Sequence, residues 1–518
     1  MRHWLVGICN PVFGLSFSGF QIHRTKRRDC KSRRTKNVSL VGIYNPDANI
    51  PNSIIMNNLN TDQQNLEAIL TEVKQQGIDY LNQIHERPTA SSAEVEIARD
   101  LSEQGFGTVE ALKQFNQRFE PIMVASSGPR YWGFVTGGTT PAAIAGDWLS
   151  TIYDQNTQSP KGNGDVSAII ELETIQLLLS LFNLPKDFFG GFVTGATLSN
   201  FTCLAVARQW IGKQFGKDFA REGVSGTIKV LSATPHSSAI KSLSMLGLGS
   251  GNFIQVNVMQ GNREALDIAD LELKIQALNG TPFILISSAG TVNTVDFDDF
   301  EAINVLKEKY NFWWHIDAAF GGFAACSPKY NHLVKGWEHA DSITIDCHKW
   351  LNVPYESAVF FVKEKHQLLQ VETFQNSNAA YLGNPMENFS YLNFLPENSR
   401  RLKALPAWFT LTSYGKQGYQ EIVEGNVEVA LRFADFINEN SNFELLAPVR
   451  LNTVCFSLTD ESLVATFLNK LNAGGKVFMT PTFYNGKKGI RAAFVNWRTS
   501  AADVELATTA MLEILTEL

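Results

Sequence analysis

The chain has 518 residues, of which 44% are hydrophobic and 18% charged, and carries a formal net charge of −7. That length exceeds one hydrophobic core and points to roughly two or three units, while the composition excludes a disordered chain, a collagen-like one and a membrane protein with several spans. The charge is uneven: residues 1–37 hold nine of the 44 basic side chains and one of the 51 acids, which leaves the remainder at −15 and argues against nucleic-acid binding.

Residues 1–55 read as a basic extension with no fold of its own, lying upstream of a possible start near Met56. Its apolar stretch 4–20 is broken by Asn10, Pro11 and three glycines, too interrupted for a spanning helix. The positive charges follow that stretch instead of preceding it, the wrong order for a secretory signal. Cys9, Cys30, Cys203, Cys326, Cys347 and Cys455 form no CxxC pair. They imply neither a zinc site nor a disulfide framework and suit a reducing, cytoplasmic setting.

Helical periodicity sets in near Thr61, giving an N-terminal arm over 56–135. Residues 164–183 predict an apolar helix buried on most of its circumference. Strand-like runs follow at 227–232, 282–288, 312–318, 342–346 and 357–362, with helical patterns between them such as 298–310. That alternation predicts an α/β unit over 136–400, a mostly parallel sheet covered by helices. After Arg401, the amphipathic helix 419–438 and short strands near 452–458 and 488–495 predict a smaller α+β domain over 401–518.

In an open parallel sheet, ligands bind beyond the carboxyl ends of the strands, and four motifs fall there. Asp346-Cys347-His348-Lys349-Trp350 follows a strand, and a partly desolvated lysine in that position can condense with an aldehyde cofactor. His315-Ile316-Asp317-Ala318-Ala319 ends an apolar strand on an acid. Asp317 is costly to bury unless it pairs with a cation such as a protonated pyridine nitrogen; the alternative is a helix cap. Gly191 to Asn200 (GFVTGATLSN) offers backbone N–H groups to a phosphate, although such turns are common. His236, in Pro235-His236-Ser237-Ser238, could stack on a planar ring or simply open a helix.

Taken in order, these motifs resemble the group II pyridoxal-phosphate-dependent amino-acid decarboxylases, a family that includes the aromatic-amino-acid, tyrosine, glutamate and diaminobutyrate decarboxylases. The resemblance covers about residues 60–518 and rests on ELETI (171–175), GGFVTGATLSNFTCLAVAR (190–208), PHSS, SAGTVNTVDFDD (288–299), HIDAAFGG and DCHKW. It implies fold type I, a homodimer with the site at the subunit interface, and pyridoxal 5′-phosphate as cofactor. By the same resemblance Lys349 is the lysine that holds the cofactor, Asp317 the partner of the ring nitrogen, and His236 the stacking residue. Ala196 and Thr197 stand at the phosphate, with Thr291, Ala319 and His348 as further cofactor contacts. Thr136 is similar to a threonine of the substrate pocket, where Trp132 and Phe134 would suit an aromatic or bulky L-amino acid. The proton donor to Cα would be a loop tyrosine, matched by Tyr391 with Tyr381 as its rival. Asp346, Cys347 and Gly128-Pro129 depart from the family pattern and bear on the substrate more than on the cofactor. Three rivals stand beside decarboxylation. An aminotransferase would use Arg491 or Arg498 on the α-carboxylate, an oxidative variant would form an aldehyde, and a silent module would only bind.

Overall fold

The computed structural model describes residues 57–160, 166–375 and 386–518, so the basic extension and Tyr381 lie outside the described residues. Residues Asn58–Leu518 form one unit. Its centre is a seven-stranded sheet built from β1 (Phe188–Val193), β2 (Val230–Ser232), β3 (Phe253–Gln255), β4 (Phe283–Ser288), β5 (Phe312–Asp317), β6 (Ser342–Ile345) and β7 (Ala358–Lys363). The strand order is β1-β7-β6-β5-β4-β2-β3. Strands β2 to β6 pair in parallel, and β7 runs antiparallel to both β6 and β1. The sheet is mostly parallel, as expected, and β7 is the strand that reverses. Only residues 346–357 join β6 to β7, and the turn that carries Lys349 occupies part of that stretch. Little chain is left for a crossover, so it doubles back.

Every residue of β1, β4, β5, β6 and β7 is buried, because helices cover both faces. Alternation along β5 puts Phe312, Trp314 and Ile316 into one core, and Trp313 into the other beside Cys203, Leu204 and Val206 of the helix Ala196–Gln214. His315 and Asp317 share the Trp313 side by the same period of two. Strand β1 escapes a pattern reading because two glycines interrupt its apolar run. A Cβ on Gly190 would lie 2.8 Å from the Phe360 carbonyl oxygen, so the close pairing with β7 requires them.

A second, antiparallel sheet comprises β8 (Phe443–Leu445), β9 (Thr453–Leu458), β10 (Thr480–Tyr484) and β11 (Lys487–Ala493), in the order β10-β11-β9-β8. It packs with the helices Ala404–Glu439, which is interrupted at Gly415, Val464–Ala473 and Ala501–Leu515. Residues 130–132 join this layer: Trp132 N–H donates to Phe478 O and Ala493 N–H to Trp132 O, each at 2.9 Å. Among the described residues no helix is long and apolar enough to cross a membrane.

Candidate active site

The carboxyl ends of β2, β4, β5 and β6 converge on one cavity, as the topology requires. Its walls include Lys349, Asp317, His236, Thr291, Ala319, Phe134 and Arg491. Phe134 (φ 56°) and Val135 (φ 57°) are both left-handed, a costly conformation for a bulky and a β-branched residue. Neighbouring anchors hold them there. Trp132 is tied to the small sheet on one side, and on the other a Cβ at Gly137 would fall 1.8 Å from the Lys349 carbonyl oxygen. Only glycine lets segment 134–138 lie against the turn that carries the lysine.

Lys349 belongs to the short helix Cys347–Trp350, directly after β6. Its Nζ lies 3.6 Å from Asp346 Oδ2 and 5.4 Å from the centre of the Phe320 ring. His348 Nδ1 is 3.0 Å from Asp346 Oδ1, yet neither atom has a partner in hydrogen-bonding geometry. This is a close approach of two buried polar atoms. A Cβ on Gly195 would stand 3.7 Å from His348 Cε1, which places His348 beside the start of the 196–214 helix. No side chain caps that start, so its first turn, with Ala196 and Thr197, is an open anion site.

Asp317 is 8% exposed and has no cation within ion-pair distance among the described residues. It is not a helix cap. Its Oδ1 accepts from Ala319 N–H (3.2 Å) and its Oδ2 from the Asn200 amide (3.0 Å). His236 opens a helix, as one of its sequence readings has it. It caps the helix Ser237–Met245 by accepting the Ser238 N–H at Nδ1 (3.2 Å), and its ring faces the cavity. Surrounding protein lowers its pKa by desolvation, which leaves a neutral imidazole. Thr291 lines the wall, but its hydroxyl is engaged by Glu264 Oε2 (2.5 Å).

Other expectations need correction. Trp132 is not a pocket residue: it is 1% exposed, donates to Pro129 O, and packs on Phe494 and Phe433 in the core of the small sheet. Thr136 is buried behind the cavity wall, its hydroxyl 3.2 Å from Tyr355 OH, and Tyr355 in turn lies against the His348 ring. Tyr391 is fully buried near Gly190 O, with the Arg400 guanidinium over its ring, and burial pushes its pKa well up. As placed, it reaches neither this cavity nor a subunit surface. Arg498 stacks on Trp497 and donates to Thr139 O outside the cavity, whereas Arg491 lines it. Asn200, Gly137 and Tyr355 were not singled out from the sequence. Their roles arise from contacts between distant segments, and no local pattern announces them.

The residues present fit pyridoxal phosphate. Among the described residues a buried carboxylate lacks a cation, a helix start lacks a side-chain cap, and a lysine amine lines the same cavity as the carboxylate. Together with a mostly parallel seven-stranded sheet and a smaller antiparallel one, that site defines a fold-type I pyridoxal-phosphate enzyme. The family model described as the pyridoxal-dependent decarboxylase conserved domain matches residues 100–459, and the chain belongs to that family. Tyrosine decarboxylase 2 of Narcissus pseudonarcissus is 25% identical over 446 residues, 80% of this chain and 87% of that protein. Phenylacetaldehyde synthase of Petunia hybrida is 27% identical over 415 residues, 74% of this chain and 79% of that protein. The crystal structure of Oryza sativa TDC with PLP and tryptamine superposes with a TM-score of 0.80 at 22% identity, covering 88% of this chain and 98% of that one, a likeness of fold. The protein is accordingly a pyridoxal-phosphate-dependent amino-acid decarboxylase, a carboxy-lyase.

Proposed function

We propose that this decarboxylase acts on an L-amino acid whose side chain ends in an acidic group. The observation that carries this reading is Arg491. Its guanidinium lines the cavity and is 9% exposed, Nη1 donates to Val292 O, and Nε is buried without a partner. No carboxylate lies within ion-pair distance of it among the described residues, and burial lowers its pKa. A buried, unpaired cation in a substrate cavity calls for an anion from the substrate. Clamping the α-carboxylate would stabilise the group that must leave and so oppose decarboxylation. The anion is therefore the side chain's. An aromatic substrate is the second reading, supported by Phe134 at the cavity wall and by the relative named tyrosine decarboxylase 2.

When bound, pyridoxal phosphate supplies an electron-accepting ring for the electron pair released with carbon dioxide. Lys349 provides the amine for its aldehyde, and Asp317 holds the ring nitrogen protonated. The 196–214 helix start, with Ala196, Thr197 and His348, receives the phosphate. Ala319 and Thr291 leave a flat wall. His236 covers the opposite side with a neutral imidazole. Among the described wall residues, Lys349 and His236 are the groups able to return a proton to Cα. A homodimer belongs to the same reading. Leu66, Leu70 and Val73 form one exposed stripe on the helix Leu66–Asn82, of which only Ile69 is buried. We also keep 56–135, 136–400 and 401–518 as arm, large and small domains, and a cytoplasmic location supported by the free thiols Cys203, Cys326, Cys347 and Cys455.

A panel of acidic, aromatic and basic amino acids offered to the holoenzyme tests the substrate, with carbon dioxide, amine, ammonia and peroxide all scored. Acidic substrates should lead, and Arg491→Leu should lower their kcat/KM about 100-fold or more while sparing apolar ones. Faster turnover of tyrosine or tryptophan by the unaltered enzyme rejects the acidic reading, and ammonia with peroxide identifies an oxidative variant. Lys349→Ala should abolish borohydride-trapped cofactor, whereas Asp317→Asn should keep the cofactor and lose nearly all turnover.

A further inference from the structure

Behind Asp317 lies a chain of buried hydrogen bonds whose donor directions are all determined. The Trp313 indole can only donate, and gives its Nε1–H to Ser342 Oγ at 3.0 Å. Ser342 Oγ then turns its own hydrogen to His315 Nδ1, 2.9 Å away. That leaves the His315 proton on Nε2, which donates to Asn200 Oδ1 at 2.9 Å. The amide orientation is confirmed from the other end, since the Asp317 carboxylate only accepts: Asn200 Nδ2 donates to Asp317 Oδ2 (3.0 Å) and to Ser238 Oγ (3.1 Å). Ser238 Oγ, having accepted, donates to His236 Nδ1 at 2.7 Å. The donor directions agree along the chain, and the Ser238 backbone N–H, which also donates to His236 Nδ1 (3.2 Å), fixes that nitrogen as an acceptor. Asn200, His315, Ser342 and Trp313 are fully buried, out of reach of solvent that could scramble it.

We propose that Asn200 is the positioning residue of this site, one amide that holds Asp317 as an acceptor for the ring nitrogen. The inference rests on the reading of Asp317 as the ring-nitrogen partner. Asn200 touches neither ring nor substrate; it acts through Asp317. One N–H stabilises the charged form of Asp317. The other donates to Ser238 Oγ, whose hydrogen joins the Ser238 backbone N–H at His236 Nδ1. His315 is the backstop. Its Nε2–H occupies the amide oxygen and prevents the amide from flipping that oxygen towards Asp317.

The test uses the holoenzyme and a cofactor labelled with 15N at the ring nitrogen. Asn200→Asp is isosteric but lacks the two donors. It should retain borohydride-trapped cofactor, move the ring-nitrogen resonance towards the unprotonated form, and lower kcat about 10- to 100-fold with little change in KM, as the loss of one hydrogen bond to a charged group implies. In an Asp317→Asn background, Asn200→Ala should cost less than about threefold more, because its route of action is already gone. An unchanged resonance and kcat in Asn200→Asp, or full additivity with Asp317→Asn, overturns the proposal. If Asp317→Asn itself changes nothing, the fault lies in the reading of Asp317. Should the Asn200 variants fold poorly, His315 provides the second arm. Gln keeps a donor for the amide oxygen and should preserve the resonance, while Leu should shift it; identical behaviour of the two refutes the coupling.

Discussion

His315 shows how burial sets a proton. It is completely enclosed between β5 and the 196–214 helix, and desolvation pushes its pKa from the ordinary 6.5 down to about 4. The unfolded chain therefore binds a proton in this window that the folded chain refuses. Stability from this group is complete above about pH 6.5 and is lost as pH falls through about 4, a difference of roughly 3 kcal/mol. Asp298 acts with opposite sign over much the same range, since burial raises its carboxyl to about 6 and its contribution fades as pH rises. Denaturant unfolding of cofactor-free wild type and His315→Gln at a series of pH values separates the two, because Asp298 is common to both. The wild type should lose roughly 3 kcal/mol relative to the variant between about pH 7 and pH 4. Parallel curves would show that the imidazole takes up its proton without cost.

Elements are joined by a few buried charges. Arg400 donates to both oxygens of Glu171 on the helix Ser167–Leu181 (2.8 and 3.1 Å), to Phe192 O of β1 and to Thr157 O, so one side chain ties a helix, a strand and a loop. Both partners are essentially inaccessible to solvent. Arg400→Met should destabilise the protein by about 3–5 kcal/mol, since it strands the Glu171 carboxylate, and the added change Glu171→Gln should recover part of the loss. Equilibrium unfolding of the two variants decides it; a single variant as stable as wild type removes Arg400 from this role. The elements also differ in how far they could be read. Strands β4 to β7 and β9 are runs rich in β-branched and aromatic residues, and the sequence pattern locates them within a few residues. Strand β1 is hidden by Gly190 and Gly191, whose reason is the proximity of Phe360. The direction of β7 followed from the short link after Lys349, which periodicity does not register.

At the scale of the whole molecule, the stripe of Leu66, Leu70 and Val73 is an unmet demand of the arm, because an amphipathic helix with its apolar side in water needs a cover. In a homodimer the second copy supplies it. The double substitution Leu70→Glu/Val73→Glu should shift the protein to a monomer in sedimentation velocity, with cofactor occupancy reduced if the site is shared between copies. A variant that sediments like wild type places the interface elsewhere.

The sequence alone determined the cofactor chemistry. Lys349, Asp317, His236 and the GATLSN turn each follow an apolar run, and strand polarity sends every such residue to the same edge of the sheet. That edge is a consequence of order along the chain, and order is what a sequence records. The tertiary structure decided everything that depends on distant segments meeting. It placed Trp132 in the small-sheet core and Tyr391 inside the large one, although both are aromatics whose type suited a pocket. It brought Arg491 from β11 to the cavity wall and left it without an anion, which moved the proposed substrate from aromatic towards acidic. It also set Asn200 between Asp317, His315 and Ser238, three residues 38 to 117 positions away in the chain. Hydrogen-bond direction and burial are properties of neighbours in space, and one-dimensional spacing carries no trace of them.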